Sequence, residues 1–330
     1  MNKLYGLIAE RTVQRYGYIL TAQRPLSVGY HEFTHVNGET PRPCEDLAWP
    51  GTVDHLSPEN KRELPPHDHD HCELLLILGG KAVHRTQHYV APLGRGDIVM
   101  TSPGQPHAFD QIDGIQRIEC GCLSECVAHG SEDLWGEPGV LQLFLAPDAL
   151  APAGSLRVTH HRLNEENLAL CIAEFRAMAL ELERGRPSLP YLRRCLGKLI
   201  IVVGRSYADS QGLDPSESLN EQLLDWLRII ENHASSNEPF RVSDLAKQYG
   251  LSPGHLARQF NKAVGVSPSQ YFQHRRVQHA CWLLLHTQHS VTDIAYALGF
   301  SDVPHFERVF HERRKMTPRA YRDRFSEKKP

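Results

Sequence analysis

Two regimes of hydrophobic patterning divide this 330-residue chain. Ahead of residue 164, apolar positions bunch into short runs such as Leu74 to Leu78, followed by Gly79-Gly80, as in buried strands. From Asn164 onward they fall at helical spacing. Leu168, Leu170, Cys171, Ala173, Phe175, Met178 and Leu182 predict a helix over Asn164–Glu183. After the turn Gly185-Arg186-Pro187, Leu192, Cys195, Leu196, Leu199, Ile200 and Val203 predict a second over Ser188–Tyr207. The polar, turn-rich stretch Ala208 to Ser218 reads as a linker.

Beyond that linker one helical pattern occurs twice. Val242-Ser243-Asp244-Leu245-Ala246, Tyr249-Gly250-Leu251-Ser252, His255-Leu256, Arg258, Phe260, Val266-Ser267-Pro268 and Tyr271 are matched by a second set. That set is Val291-Thr292-Asp293-Ile294-Ala295, Leu298-Gly299-Phe300-Ser301, His305-Phe306, Arg308, Phe310, Met316-Thr317-Pro318 and Tyr321. The offset is 49 up to Ser301 and 50 from His305, so the second copy carries one added residue between serine and histidine. Each copy predicts two short helices around a glycine turn, with Ser243 or Thr292 capping the first and Ser252 or Ser301 the second. Leu256 and Phe260, or Phe306 and Phe310, lie four apart on a buried face, and Arg258 and Arg308 occupy the opposite one. That is a helix-turn-helix, whose second helix can enter a major groove. A solenoid built from the same unit would usually need three or more repeats.

Charge separates along the same line. Residues 220–330 hold 16 Lys and Arg against 11 Asp and Glu, a net of +5, while the remainder holds 20 against 28, a net of −8. A near-neutral total hides a basic carboxy-terminal unit, the electrostatic footprint of a nucleic-acid binder.

The run Arg276-Val277, Ala280, Leu283-Leu284, VTDIAYALGFSDVPHFERVF, Thr317-Pro318 and Tyr321-Arg322 resembles the DNA-binding domain of AraC/XylS-type transcription regulators over about the last 110 residues. Lys315 departs from the glycine usual before the Thr-Pro pair, which the first copy keeps as Gly265. The resemblance implies a seven-helix domain in which a central helix, Pro268 to His286, holds two helix-turn-helix units apart, with Tyr271, Phe272, Val277, Ala280, Cys281 and Leu284 facing inward. The recognition helices would be Ser252–Ala263 and Ser301–Arg313, reading successive major-groove segments of double-stranded DNA about 34 Å apart. Groove-facing candidates are Gly254, His255, Arg258, Gln259 and Lys262 in the first, and Pro304, His305, Arg308 and His311 in the second. Arginine suits the role because its planar fork can bond both acceptors of guanine. His255 and His305 could instead bond a neighbouring helix. Pro253 and Pro268 belong at helix starts, and Arg275, Arg276, Arg313, Arg314 and Arg319 read as phosphate contacts or intramolecular pairs.

Nearer the amino terminus, His67, His69, Glu73 and Gly80 have the spacing H-x-H-x3-E-x6-G, and a second element runs from Gly96 to His107. Together they resemble the paired motifs of the cupin superfamily, a small jelly-roll barrel, with Ser102 and Gln111 as mild departures. On one strand, residues 67, 69, 71 and 73 would share a face, the barrel interior. His67, His69, Glu73 and His107 then form a candidate set for one divalent metal, for which zinc, nickel, iron and manganese all suit imidazole and carboxylate. The alternative is a polar effector bound without metal by His67, His69, His71, Glu73, His107 and Gln111. His71 and Cys72 are bystanders to a metal, and His84 and His88 are expected on the strand surface.

The expected architecture is α+β: a cupin β-barrel over 1–163, a helical pair over 164–208, a linker over 209–218, and an all-α DNA-binding domain with two helix-turn-helix motifs over 219–330. By family resemblance the helical pair makes a homodimer, a sugar or another small-molecule effector enters the barrel, and the regulator activates a catabolic operon with RNA polymerase as partner. A metal-dependent cupin enzyme fused to a DNA-binding domain is the competing class, and a metal or redox sensor a third. Attachment to a duplicated helix-turn-helix favours sensing over turnover. With no apolar run of 18 residues and a charged start, no membrane association and a cytoplasmic location are expected. Cys120, Cys122 and Cys126 read as buried strand residues or a sensor thiol group.

Overall fold

The computed structural model describes residues 14–15, 20, 26–33, 53–56, 64–69, 71–86, 90–101, 106–123, 134, 136–137, 139–140, 159–212 and 221–325. The amino-terminal part is a curled, mainly antiparallel sheet. Its strands are β1 (Gln14–Arg15), β2 (Leu26–Phe33), β3 (Val53–Leu56), β4 (Leu64–Asp68), β5 (Cys72–Thr86), β6 (Val90–Leu93), β7 (Asp97–Thr101), β8 (His107–Cys122) and β9 (Thr159–Arg162). The main order is β1-β4-β8-β5-β7-β9, with β2 joined to β8 and β3, and β6 to β5. The two long strands β5 and β8 form its spine.

Side-chain alternation on β5 divides two cores. Leu75 and Ile77 face a cluster with Val99, Phe109, Ile112 and Ile115 on the inside of the curl. Leu74, Leu76 and Leu78 face outward, against the helical pair. That pair is α1 (Glu165–Leu182), capped by Asn164, and α2 (Leu189–Gln211), capped by Ser188. Leu168, Cys171, Phe175, Met178, Leu192, Leu196, Leu199 and Val203 cover the sheet. Leu170 and Ala173, expected on that apolar face, are instead exposed. The second helix outruns its expected end by four residues, to Gln211, and stops at Gly212 in the left-handed conformation. The linker expected from 209 is therefore helical at its start, and residues 213–220 lie outside the described set.

The carboxy-terminal domain has α3 (Glu221–Ala234), α4 (Val242–Gln248), α5 (Pro253–Val264), α6 (Pro268–His286), α7 (Val291–Ala297), α8 (Val303–Arg314) and α9 (Pro318–Phe325). The expected bounds of the central helix, α6, are borne out. Ser267 and Gln270 close a reciprocal capping box at its start, with Pro268 in the first turn. Around it lie two separate cores. Leu227, Ile230, Leu245, Leu256, Phe260 and Tyr271 form the first; Val277, Leu284, Ile294, Phe306, Phe310 and Tyr321 belong to the second. Leu20 and Leu123 from the amino-terminal part are buried in that second cluster. All six expected inner positions of α6 are buried.

The turn glycines Gly250 and Gly299 have φ of +65° and +71°, but several caps differ from expectation. Ser243 and Thr292 lie inside α4 and α7 rather than ahead of them. Ser290 caps α7 through a capping box with Asp293, while Arg241 precedes α4 with no side-chain bond. Ser252 does cap α5, but Asp302, not Ser301, caps α8, accepting from the His305 amide at 2.7 Å. Asp302 is the added residue of the second copy, and a carboxylate there also meets the positive end of the helix dipole.

Lys315 adopts the left-handed conformation, φ +56°, where the first copy has Gly265 at +85°. A side chain there costs roughly 1 kcal/mol that glycine avoids. Lys315→Gly should raise the stability of the second core by about 0.5–1 kcal/mol, read as a higher urea midpoint; a fall would mean that the lysine side chain makes a compensating contact.

Candidate ligand site and nucleic-acid interface

Inside the curled sheet, pairing of strands brings the imidazoles together. His67 on β4 and His107 on β8 are direct cross-strand partners, with ring centroids 4.3 Å apart. His69 follows β4 and lies 5.2 Å from His107, ring to ring. One nitrogen from each of His67, His69 and His107 lies within 4.8 Å of the others. Glu73, near the start of β5, approaches two of them: Oε1 is 3.5 Å from His69 Nε2 and Oε2 is 3.4 Å from His107 Nε2. Thr101, its partner on β7, donates to the same carboxylate at 3.3 Å. The four expected metal-site residues are thus gathered, although not by alternation along one strand: β4 ends at Asp68 and β5 begins at Cys72. His71 is fully buried beside His69, outside the three-histidine set.

Burial by itself would raise the Glu73 carboxyl, but His69, His107 and Arg117 together hold it well below the usual carboxylate range. Burial pushes the His69 imidazole below its ordinary value, so it favours the neutral form that a metal or a hydrogen-bonding ligand needs.

The structure adds residues that the sequence did not single out. His84, expected on the surface, is fully buried; its ring stacks on Phe109 at 4.9 Å and lies 5.5 Å from His107. Register shifts between Ile77 and Val83 reverse the inward parity of β5, turning even-numbered Ala82 and His84 to the inside. Burial lowers the His84 imidazole well below its ordinary value. Arg117 and Glu119, paired at 2.7 Å, are buried near this cluster, and the Arg117 guanidinium lies 5.4 Å from the Phe109 ring centre. Gln111 departs the other way: its φ of +52° leaves it exposed, so its side chain does not line the interior. His88, Cys126 and residues 102–105 of the second motif fall outside the described set.

The recognition helices appear one or two residues from their expected starts. In α5, Gly254, His255, Arg258, Gln259 and Lys262 are all exposed, and a side-chain carbon at Gly254 would meet nothing within 4 Å. In α8, Pro304, Arg308 and His311 are exposed, whereas His305 is half-buried with its ring 5.7 Å from that of Phe300. Three arginines expected at phosphates or in internal pairs are internal. Arg275 forms a bidentate pair with Glu231 at 2.6 and 2.7 Å. Arg276 donates to the Leu298 carbonyl and lies 3.6 Å over the Phe300 ring, and Arg314 reaches Cys281 Sγ. Arg319 remains exposed.

Comparison with known proteins agrees with this division. An AraC-like ligand binding domain matches residues 57–117, and a helix-turn-helix domain matches residues 245–324. The HTH-type transcriptional activator RhaS of Salmonella schwarzengrund is 26% identical over 264 residues, covering 78% of this chain and 87% of that protein. RhaS of Salmonella arizonae is 26% identical over 265 residues with the same coverage. Among solved structures, ToxT from Vibrio cholerae O395 covers 92% of this chain and 98% of its own at 10% identity and a TM-score of 0.42, too distant to bear on domain arrangement. No helix among the described residues is long and apolar enough to cross a membrane. With an AraC-like ligand-binding domain ahead of a helix-turn-helix domain, and relatives named as HTH-type transcriptional activators aligned over most of its length, the chain is similar to AraC/XylS-type transcription regulators.

Proposed function

We propose that this regulator is a cytoplasmic, homodimeric activator that answers to a small hydroxylated effector, of which a sugar is the first candidate, and that it works with RNA polymerase rather than as an enzyme. The observation that carries the DNA-reading part is the pair of recognition helices, seated by buried Leu256, Phe260 and Val264 in α5 and by Phe306 and Phe310 in α8, and each exposing one arginine. Relatives named as transcriptional activators support activation. Leu170, Leu180 and Tyr191 on α1 and α2 are 48%, 51% and 45% exposed, which supports a role for the helical pair in dimerisation. The proposed units are 1–163 for effector binding, the helical pair from 164 to the end of α2 at Gln211 for dimerisation, the stretch that follows it up to 218 for the link, and 219–330 for DNA.

In this reading Arg258 and Arg308 touch base edges, and Gly254, His255, Gln259, Lys262, Pro304, His305 and His311 line the same groove. Fluorescence anisotropy on duplexes from the chain's own genomic neighbourhood tests it. Arg258→Ala and Arg308→Ala should each weaken the preferred duplex by about 1–3 kcal/mol, roughly 5- to 140-fold in Kd. The loss should be smaller on scrambled duplex. Equal losses on both would reduce these residues to phosphate contacts, and no loss would remove them from the interface.

The barrel residues suit a divalent metal. Three imidazoles and a carboxylate are a donor set for zinc, nickel, iron or manganese, and their present spacing of up to 4.8 Å needs modest ring rotation to reach the roughly 3.3 Å between nitrogens on tetrahedral zinc. Bound there, a metal would supply a Lewis-acidic anchor for effector oxygens. His67, His69, His107 and Glu73 would hold it, while Arg117 and His84 offer further polar contacts beside it. Loading the full-length protein with Zn2+ and titrating by calorimetry should give one site, weakened more than about 100-fold in His107→Ala. An unchanged isotherm in that variant would leave the same residues as a metal-free effector pocket. Whatever binds must prefer one arrangement of barrel, helical pair and DNA-binding domain, because equal affinity for two arrangements switches nothing.

A further inference from the structure

Five cysteines meet where the sheet packs on the helical pair. Cys120, Cys122, Cys171 and Cys195 are buried in that core, and Cys72 packs against it. Two of them face each other across the strands: Cys72, the first residue of β5, is the register partner of Cys122, the last of β8. Direct partners in an antiparallel ladder point to the same face, and their Cα atoms lie about 4.5 or 5.5 Å apart according to the kind of pair. Both distances fall inside the 4.4–6.8 Å range of disulfides. Their Cβ atoms, about 4.5–5.5 Å apart in such pairs, need to close by about 1 Å, and both residues sit at strand ends, where that movement disturbs the least pairing. Opposite Cys120, by contrast, stand Leu74 and Val28.

We propose that Cys72 and Cys122 form an intramolecular disulfide when the protein meets a hydroperoxide. Cys72 is partly exposed and takes the oxidant first, whereas Cys122 is fully buried and resolves the product. The Cys72 sulfur attacks the peroxide O–O bond, one oxygen leaves as water, and a sulfenic acid remains. The Cys122 sulfur then attacks the Cys72 sulfur, the S–O bond breaks, and a second water carries away that oxygen. Two thiols and one H2O2 thus give one disulfide and two waters, with both thiol protons ending in water. The new bond ties the start of β5, next to Glu73, to the end of β8 on the surface that carries α1 and α2.

The full-length protein treated with H2O2, alkylated, digested without reduction and mapped by mass spectrometry tests this directly. The expected product is a Cys72–Cys122 cross-linked peptide pair with loss of two titratable thiols, restored by dithiothreitol. It should be abolished in Cys72→Ser, a partly exposed site that tolerates the change, and should form at a rate within twofold of the native protein in Cys120→Ser. A cross-link from Cys72 to Cys120 or to another chain, stable sulfinic acid at Cys72 without a partner, or no thiol loss would each overturn the assignment. None of these readouts depends on the effector, the metal or DNA.

Discussion

Replacing Arg275 by alanine is expected to destabilise the DNA-binding domain by about 3–5 kcal/mol, because it strips the counter-charge from a nearly buried carboxylate. Glu231 on α3 is 7% exposed and accepts two bonds from Arg275 at 2.6 and 2.7 Å, while His279 Nε2 lies 2.7 Å from the same carboxylate. Gln278 takes a further Arg275 donor at 2.7 Å. The network fastens α3 to α6 beside the first core. Glu231→Gln should cost a similar amount by orphaning the guanidinium. Urea unfolding of the full-length protein, followed through hydrogen exchange of α3 and α6 amides, measures both. A cost below 1 kcal/mol in each would show that water reaches the pair.

The same network makes a dated prediction in pH. Burial alone would raise the Glu231 carboxyl, but hydrogen bonds from His279 and Arg275 override it and bring the group down to about 2, against an ordinary value of 4.5. A carboxyl depressed by folding contributes stability that is complete above its unfolded value and is lost as pH falls toward its folded value. Its share, about 3 kcal/mol on the order of the shift, should disappear between roughly pH 4.5 and pH 2. The gap between native protein and Glu231→Gln should close over that interval. A gap that stays constant would separate the carboxylate's charge from the stability of the fold.

What the sequence made legible follows the range of the forces involved. The central helix was readable to the residue because its start depends on local chemistry: Ser267, Pro268 and Gln270 act within one turn. The recognition helices were legible for the same reason, and their caps were partly misplaced because neighbouring hydroxyl and carboxylate groups compete. At α8 the inserted Asp302 takes the role expected of Ser301, and the serine hydroxyl turns to donate to it. Arg258 and Arg308 were separable from the apolar face by spacing alone. Arg275, Arg276 and Arg314 were not, since Glu231, Leu298 and Cys281, their partners, lie 44, 22 and 33 residues away. In the barrel, histidine and glutamate spacing located the cluster. His84 and Gln111 were misread because register shifts and a left-handed residue reverse the alternation on which inward parity depends.

Truncating Phe310 to alanine is expected to cost about 3–5 kcal/mol through the cavity it leaves, and to cost it locally. Phe310 is fully buried in α8, its ring 5.8 Å from that of Phe306 and 5.6 Å from that of Tyr321, within the second core. Phe260, its counterpart in α5, belongs to the first core, against Tyr271 at 5.7 Å. The two clusters share only α6, so each recognition helix has its own apolar seat. Phe310→Ala should therefore strip amide protection from α7, α8 and α9 while α4 and α5 keep theirs, and Phe260→Ala should do the reverse. On DNA, each variant should lose the contacts of one helix and retain the salt-dependent hold of the other. Uniform loss of protection from α3 to α9 in either variant would instead make the seven helices one cooperative unit, with α6 transmitting damage between the cores rather than isolating it.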